Sequence, residues 1–176
     1  MEIKRITSSD CREFKEAFEI CEDSFPLSER RKLPEQIKAF ECPDYHFNIL
    51  SEGGGVSGFI TYWETDGFIY IEHLAIKRSL RGTGTGSTAV NSVKCGRKPL
   101  ILEIEPPVDE ITIRRRHFYE RLGFTENPFS HYQLPYNREG GGCELKIMTY
   151  PRKITDGEYE KFYDYFKSTV MKYSEK

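Results

Sequence analysis

The stretch from Glu72 to Ser87 limits what this chain can become more than any other part of it. Glu72-His73-Leu74-Ala75-Ile76 reads as the end of a strand, and Lys77 to Arg81 as a basic turn. Gly82-Thr83-Gly84-Thr85-Gly86-Ser87 then reads as a glycine-rich loop opening a helix. Without Cβ atoms, the backbone at Gly82, Gly84 and Gly86 lets a ligand come close. The first amides of a helix have no intrahelical partner and face outward, with the positive end of the helix dipole behind them. Such a loop suits phosphate. Arg81 adds a permanent charge whose geometry suits a pyrophosphate.

Three phosphate-binding patterns compete for this loop. The Walker pattern needs Gly-Lys-Ser/Thr, whereas Gly86 is followed by Ser87 and Thr88. A dinucleotide fingerprint matches loosely as Gly84-x-Gly86-x-x-Ala89, but it belongs directly after the first strand of a βαβ unit. Here the glycines lie in mid-chain, after a basic turn and behind strands that read as antiparallel. The third pattern, Arg81-x-x-Gly84-x-Gly86, fits better and resembles the pyrophosphate loop of the GNAT superfamily of N-acetyltransferases. A second segment, Arg116-His117-Phe118-Tyr119-Glu120-Arg121-Leu122-Gly123-Phe124, resembles that family's fourth helix and the turn after it. The two motifs occur in the family's order, with a strand from Pro99 to Glu105 between them.

The resemblance implies a mixed α/β sheet, splayed in the middle, with helices on both faces and acetyl-CoA in the gap. The reaction implied is direct transfer of the acetyl group to a primary amine in a ternary complex. An ammonium with a pKa near ~10 must lose a proton, and a thiolate whose thiol has a pKa of about 8.5 must leave. The site therefore needs a base on one side and a proton donor on the other. By this resemblance Tyr119 is the donor. Glu72 is the base, with its neighbour His73 as the alternative. The two point to opposite faces of a regular strand, and a bulge would change which one faces the site. Backbone groups of Leu74, Ala75 and Ile76 would pair with the pantetheine. Arg81, Gly82, Thr83, Gly84, Thr85, Gly86 and Ser87 would cradle the pyrophosphate. Arg116, one of the three arginines Arg114 to Arg116, and Phe118 would complete the cofactor site. Glu29 and Arg30 in the first helix-helix connection, Glu103 and Glu105 on the next strand, and Tyr132 and Tyr136 beyond are candidates for the acceptor pocket. No residue pattern identifies a metal site. Two other classes stay open: a catalytically silent acyl-CoA-binding module and an NAD(P)-binding oxidoreductase.

Composition narrows the partners. The net charge of −2 over 176 residues gives no reason to expect nucleic acid. There is no long apolar span or N-terminal apolar run, so a membrane is not expected. The five cysteines lack CxxC spacing and read as free thiols of a reducing cytoplasm. The length suits one domain over residues 1–176, as a monomer or homodimer. A last helix at about 155–173 carries Tyr159, Phe162, Phe166, Val170 and Tyr173 on one face, to pack on the body or on a second copy. Asp10 is expected to cap the first helix, and His131–Pro135 and Cys143–Tyr150 to form two strands joined through Gly140-Gly141-Gly142.

Overall fold

The computed structural model describes residues 1–94, 96, 98–138 and 141–175. Cys95 and Gly140, which the sequence reading includes, lie outside the described residues. The chain begins with strand β1 (Glu2–Ile6), helices α1 (Arg12–Ser24) and α2 (Leu33–Ala39), and a 3-10 turn at Leu27–Glu29 between them. Strands β2 (Tyr45–Glu52), β3 (Gly55–Glu64) and β4 (Ile69–Ile76) follow as an antiparallel meander. Helix α3 (Thr85–Val93) leads to β5 (Leu100–Ile104), and α4 (Glu110–Arg121) to β6 (Thr125–Glu126) and β7 (His131–Gln133). The chain closes with β8 (Cys143–Tyr150) and α5 (Asp156–Ser168). The strand order is β1-β2-β3-β4-β5-β8-β6, with β7 also on β8.

Local chemistry accounts for the element boundaries. Gly53 and Gly54 take positive φ values of 60° and 83° in the β2–β3 turn, where glycine alone is unstrained. At the β3–β4 turn, Thr65 Oγ1 accepts from the amides of Gly67 and Phe68. Helix α4 starts with a capping box between Asp109 and Thr112, and α5 with one between Thr155 and Glu158. Helix α1 departs from expectation. Its N-cap is Cys11 with no side-chain cap, because Asp10 bonds Ser8 instead. Strand β6 is only two residues long, too short for any periodicity to reveal.

Two cores lie on opposite faces of the sheet. One is aromatic: Phe14 and Phe18 of α1 and Phe162 and Phe166 of α5 pack with Phe47, Phe59, Trp63 and Tyr70. The other joins Ala89, Val90 and Val93 of α3 and Tyr119 of α4 to Ile60, Ile71, Leu102 and Met148. The apolar face of α5 is therefore used by the chain itself. Phe162 and Phe166 are fully buried, their ring centres 5.1 and 6.0 Å from that of Tyr70. Each contributes roughly 1.5–3 kcal/mol by burial.

One feature of the pairing makes the site. Strands β4 and β5 are parallel, and their register runs only from Ile69↔Leu100 to Ile71↔Leu102. Beyond it, among the described residues, β4 keeps only β3, on its other edge, and β5 keeps only β8, with which it pairs along its whole length. The sheet opens between them, and the backbone of β4 from Glu72 onward has one edge free.

Candidate active site

The opening is a cleft of about 860 Å³. The free end of β4, the glycine loop and α4 form one wall. Ser24, Phe25 and Glu29 from the α1–α2 connection, with Gln133 and Leu145, form the other.

A bulge decides what β4 presents. Thr61 pairs with His73 and Tyr62 with Ile71, so Glu72 has no partner on β3. Alternation shifts by one residue there. Tyr70 and Ala75, five apart, both reach the aromatic core, while Ile71, Leu74 and Ile76 face the other. Glu72 and His73 thus turn to the same side of the sheet, contrary to the expectation from a regular strand.

Glu72 does not fit the role of a free base. Its side chain is fully buried, with Arg31 Nη1 2.8 Å from its Oε1 and the Tyr136 hydroxyl donating to the same oxygen at 2.8 Å. Burial alone raises the carboxyl, but Arg31, His73 and Tyr136 overcome it and hold the group below the ordinary carboxylate range. Arg31 is also fully buried. It donates to the carbonyls of Tyr173 and Val170 at 3.1 and 3.2 Å, and its guanidinium lies 5.0 Å from the Tyr136 ring centre. The pair locks the bulge to the α1–α2 connection and to the chain end.

His73 is equally committed. Its Nε2 lies 2.8 Å from the carbonyl oxygen of Glu29, which can only accept, so Nε2 carries the hydrogen. Nδ1 faces Thr61 Oγ1 at 3.5 Å. Burial, opposed by Glu72, lowers the imidazole's pKa and keeps it neutral. Glu103 is bound from three sides. Tyr70 donates to it at 2.5 Å, Gln133 at 3.1 Å, and His131 Nε2 closes on its other oxygen. Glu105 pairs with Arg115 at the rim.

The glycine loop has the form expected of a phosphate cradle. Gly82 and Gly84 adopt φ of 85° and 91°, and a Cβ at either would enter open space. Gly84 is the N-cap of α3 and brings no side chain to its free amides. Arg81 Nε donates to the Ile76 carbonyl at 3.0 Å, which leaves the outer nitrogens of the guanidinium for a ligand. Gly86 lets Phe118 pack tightly, its ring 3.4 Å from where a Cβ would sit. These features fit the pyrophosphate of coenzyme A. Farther down the cleft, Tyr119 is pushed up to about 12 by burial, with Arg115 opposing, and its hydroxyl has no hydrogen-bond partner among the described residues.

Several expected contacts lie elsewhere. Arg116 turns to Glu120 and Glu126 at 2.9 and 3.5 Å, and Arg114 and Arg115 line the cleft in its place. Arg30 pairs with Glu22 at 3.2 Å, outside the cleft. Tyr132 is 52% exposed and not among the lining residues. Tyr136 is buried behind Glu72 and does not reach the opening. The side chains of Thr83 and Thr85 bond each other at 2.9 Å within the loop, away from the cleft. Arg31, His131, Gln133 and the rim arginines lie in segments that the family resemblance sets beside the acceptor pocket or the cofactor phosphates, but none of them is singled out there. The doublet Arg30-Arg31, the run Arg114 to Arg116 and the segment His131 to Tyr136 carry the signal, and none of these tells its members apart.

A family model described as the acetyltransferase (GNAT) domain matches residues 43–126, which run from β2 to β6. An acetyltransferase of the GNAT family from Bacteroides thetaiotaomicron is 31% identical over 97% of this chain and 98% of its own, with a TM-score of 0.87. The chain belongs to the GNAT family of acetyltransferases. A protein named as the acetyltransferase YjbC of Bacillus subtilis is 34% identical over 80 residues, which span 44% of this chain and 41% of that protein. An aminoglycoside 6'-N-acetyltransferase solved with coenzyme A shares the fold at 15% identity and a TM-score of 0.60, over 89% of this chain and 100% of its own. Among the described residues no helix is long and apolar enough to cross a membrane.

Proposed function

We propose that this GNAT acetyltransferase moves the acetyl group of acetyl-CoA to a primary amine, with both bound in the cleft at once. The observation that carries the reading is the unpartnered Tyr119 hydroxyl in the gap between β4 and β5, on the wall that holds the glycine loop. Bound acetyl-CoA supplies a thioester, whose carbonyl carbon is open to attack by an amine. The free amides of α3, Arg81 and the rim arginines Arg114 and Arg115 hold its phosphates. The unpaired edge of β4 at Leu74, Ala75 and Ile76 aligns the pantetheine, and one of its amides stabilises charge on the carbonyl oxygen. Tyr119 stays protonated at neutral pH, since burial raises its hydroxyl to about 12. It can therefore give a proton to the leaving sulfur, whose thiol has an ordinary pKa of about 8.5. The opposite wall is rich in carboxylates, Glu29, Glu103 and Glu105, which favours a cationic acceptor. The four described cysteines are free thiols, which suits a reducing cytoplasm.

Calorimetry with coenzyme A and with Arg81→Ala tests the cofactor half. Wild type should bind with an affinity that falls as salt rises, and the variant should bind more weakly with a flatter salt dependence. Absence of coenzyme A binding by the wild type would refute the reading. For the transfer half, a panel of amines is followed by thiol release.

A further inference from the structure

Among the described residues, one half-buried carboxylate of the cleft has no partner. Glu72 is fully buried and its charge is met by Arg31, with Tyr136 on the same oxygen, although its Oε2 has no hydrogen-bond partner among the described residues; Glu103 is taken by Tyr70, His131 and Gln133, and Glu105 by Arg115. Glu29 also lines the cleft, and its carboxylate has neither a hydrogen bond nor an ion pair among the described residues. Glu110 lines it too, but stands exposed on the first turn of α4 at the outer rim.

Glu29 is held in place by its backbone. Its amide donates to the Pro26 carbonyl at 3.0 Å, and its carbonyl accepts from His73 Nε2 at 2.8 Å. The His73 ring in turn meets Phe25 edge-on, centres 4.8 Å apart. The 3-10 turn carrying Glu29 is thus pinned to the bulge of β4, opposite the wall that carries Tyr119. Its carboxylate feels the charges of Glu105, just past the end of β5, and Arg115 of α4, and the Cys143 thiol of β8 in turn feels Glu29, Glu103 and Glu105. Burial first, and then the field of Glu105, disfavours the anion, with Arg115 opposing. A bound cation would relieve both penalties.

We propose that Glu29 binds the acceptor's ammonium group and takes its proton, the role that the family resemblance assigns to Glu72. This rests on the amine acetyl-transfer reading. The ammonium gives one proton to the Glu29 carboxylate, which passes it to solvent. The freed nitrogen pair forms the C–N bond as the C–S bond breaks. The sulfur takes the Tyr119 proton, and the second proton lost by the nitrogen restores the tyrosine. The net products are the amide, the thiol and one released proton. Acceptors of this class are primary amines that are cationic near neutral pH and carry no anion beside the reacting nitrogen.

The test uses coenzyme A-loaded protein with ¹³C-labelled glutamate carboxyls, the Glu29 signal being assigned by its loss in Glu29→Gln. Propylammonium and spermidine are the probes, with acetate as the anionic control. The Glu29 signal should titrate above the ordinary carboxylate range and move on saturation with either amine, but not with acetate. With an amine that the wild type acetylates, Glu29→Gln should lower kcat/KM by about 10²–10⁴ without changing coenzyme A affinity. That loss should shrink as pH rises and the amine is already neutral. An unmoved Glu29 signal in the presence of saturating amine overturns the proposal, as does wild-type kcat/KM in Glu29→Gln. If the signal moves while no amine is acetylated, the ammonium site stands and the transfer reading fails. If amines are acetylated equally by both proteins, the transfer reading stands and Glu29 is not the base.

Discussion

Replacing Arg31 with Met keeps most of the bulk of the side chain and removes the charge that Glu72 faces. Both side chains are fully excluded from solvent. The variant therefore leaves a buried carboxylate without its cation, which costs about 3–5 kcal/mol. The donations to Val170 and Tyr173 also vanish, at about 1 kcal/mol each. Against a total stability of about 5–15 kcal/mol, this removes a third or more. The sign of the pH dependence identifies the cause. In the wild type the folded carboxyl of Glu72 sits below its unfolded value of 4.5. Its contribution is present above that value and lost as pH falls through the folded one. In Arg31→Met the burial that remains raises the carboxyl, so acidification relieves the variant. Urea unfolding at several pH values between neutrality and the carboxylate range reads this directly. The deficit should be largest near neutrality and narrow toward acid. Adding Glu72→Gln to Arg31→Met should recover most of it, because no buried charge is left. A deficit below about 1 kcal/mol at neutral pH, or one that does not change with pH, or a double variant no better than the single one, would refute the account.

Tyr119→Phe should leave the fold and coenzyme A affinity intact and lower turnover by about 10²–10⁴, with no recovery at high pH, as steady-state rates across pH would show. Gly58→Ala should cost about 1–3 kcal/mol in thermal or urea unfolding, since its Cβ would lie 2.3 Å from the Ala75 carbonyl oxygen. Phe162→Ala should cost about 3–5 kcal/mol by the same measurement, because the ring is fully buried between α5 and Tyr70.

The sequence signals that proved informative are those whose cause is local. Positive φ at Gly82 and Gly84, the helical spacing of Phe14, Ala17, Phe18 and Cys21, and the turn at Asp66-Gly67 each depend on a few neighbouring residues. They place the elements and the shape of the glycine loop. The cap of α1 was misread because Asp10 had a second local partner, Ser8, and the choice between them is a small energy. The alternation on β4, where a bulge is the alternative to a regular strand, is left open by the sequence for a different reason. A bulge is a property of the β3–β4 register, and nothing within Glu72-His73 records that Thr61 pairs with the second of them.

The roles of the carboxylates show where local information ends. Glu29, Glu72, Glu103 and Glu105 are the same functional group on the same cleft. What distinguishes them is the number of donors that distant elements bring. Glu72 receives Arg31 and Tyr136, Glu103 receives Tyr70, His131 and Gln133, Glu105 receives Arg115, and Glu29 receives none among the described residues. A carboxylate whose charge is already met by a cation or by several donors, as Arg31 meets that of the fully buried Glu72, gains little from an incoming ammonium, whereas a half-buried and unpaired one gains a charge-assisted hydrogen bond. The strand that resembles the family's catalytic strand therefore supplies the frame, through the buried Arg31–Glu72 pair and the His73 contact. By that frame it fixes the turn from which Glu29, half-buried and without a donor or counter-ion among the described residues, reaches into the cleft.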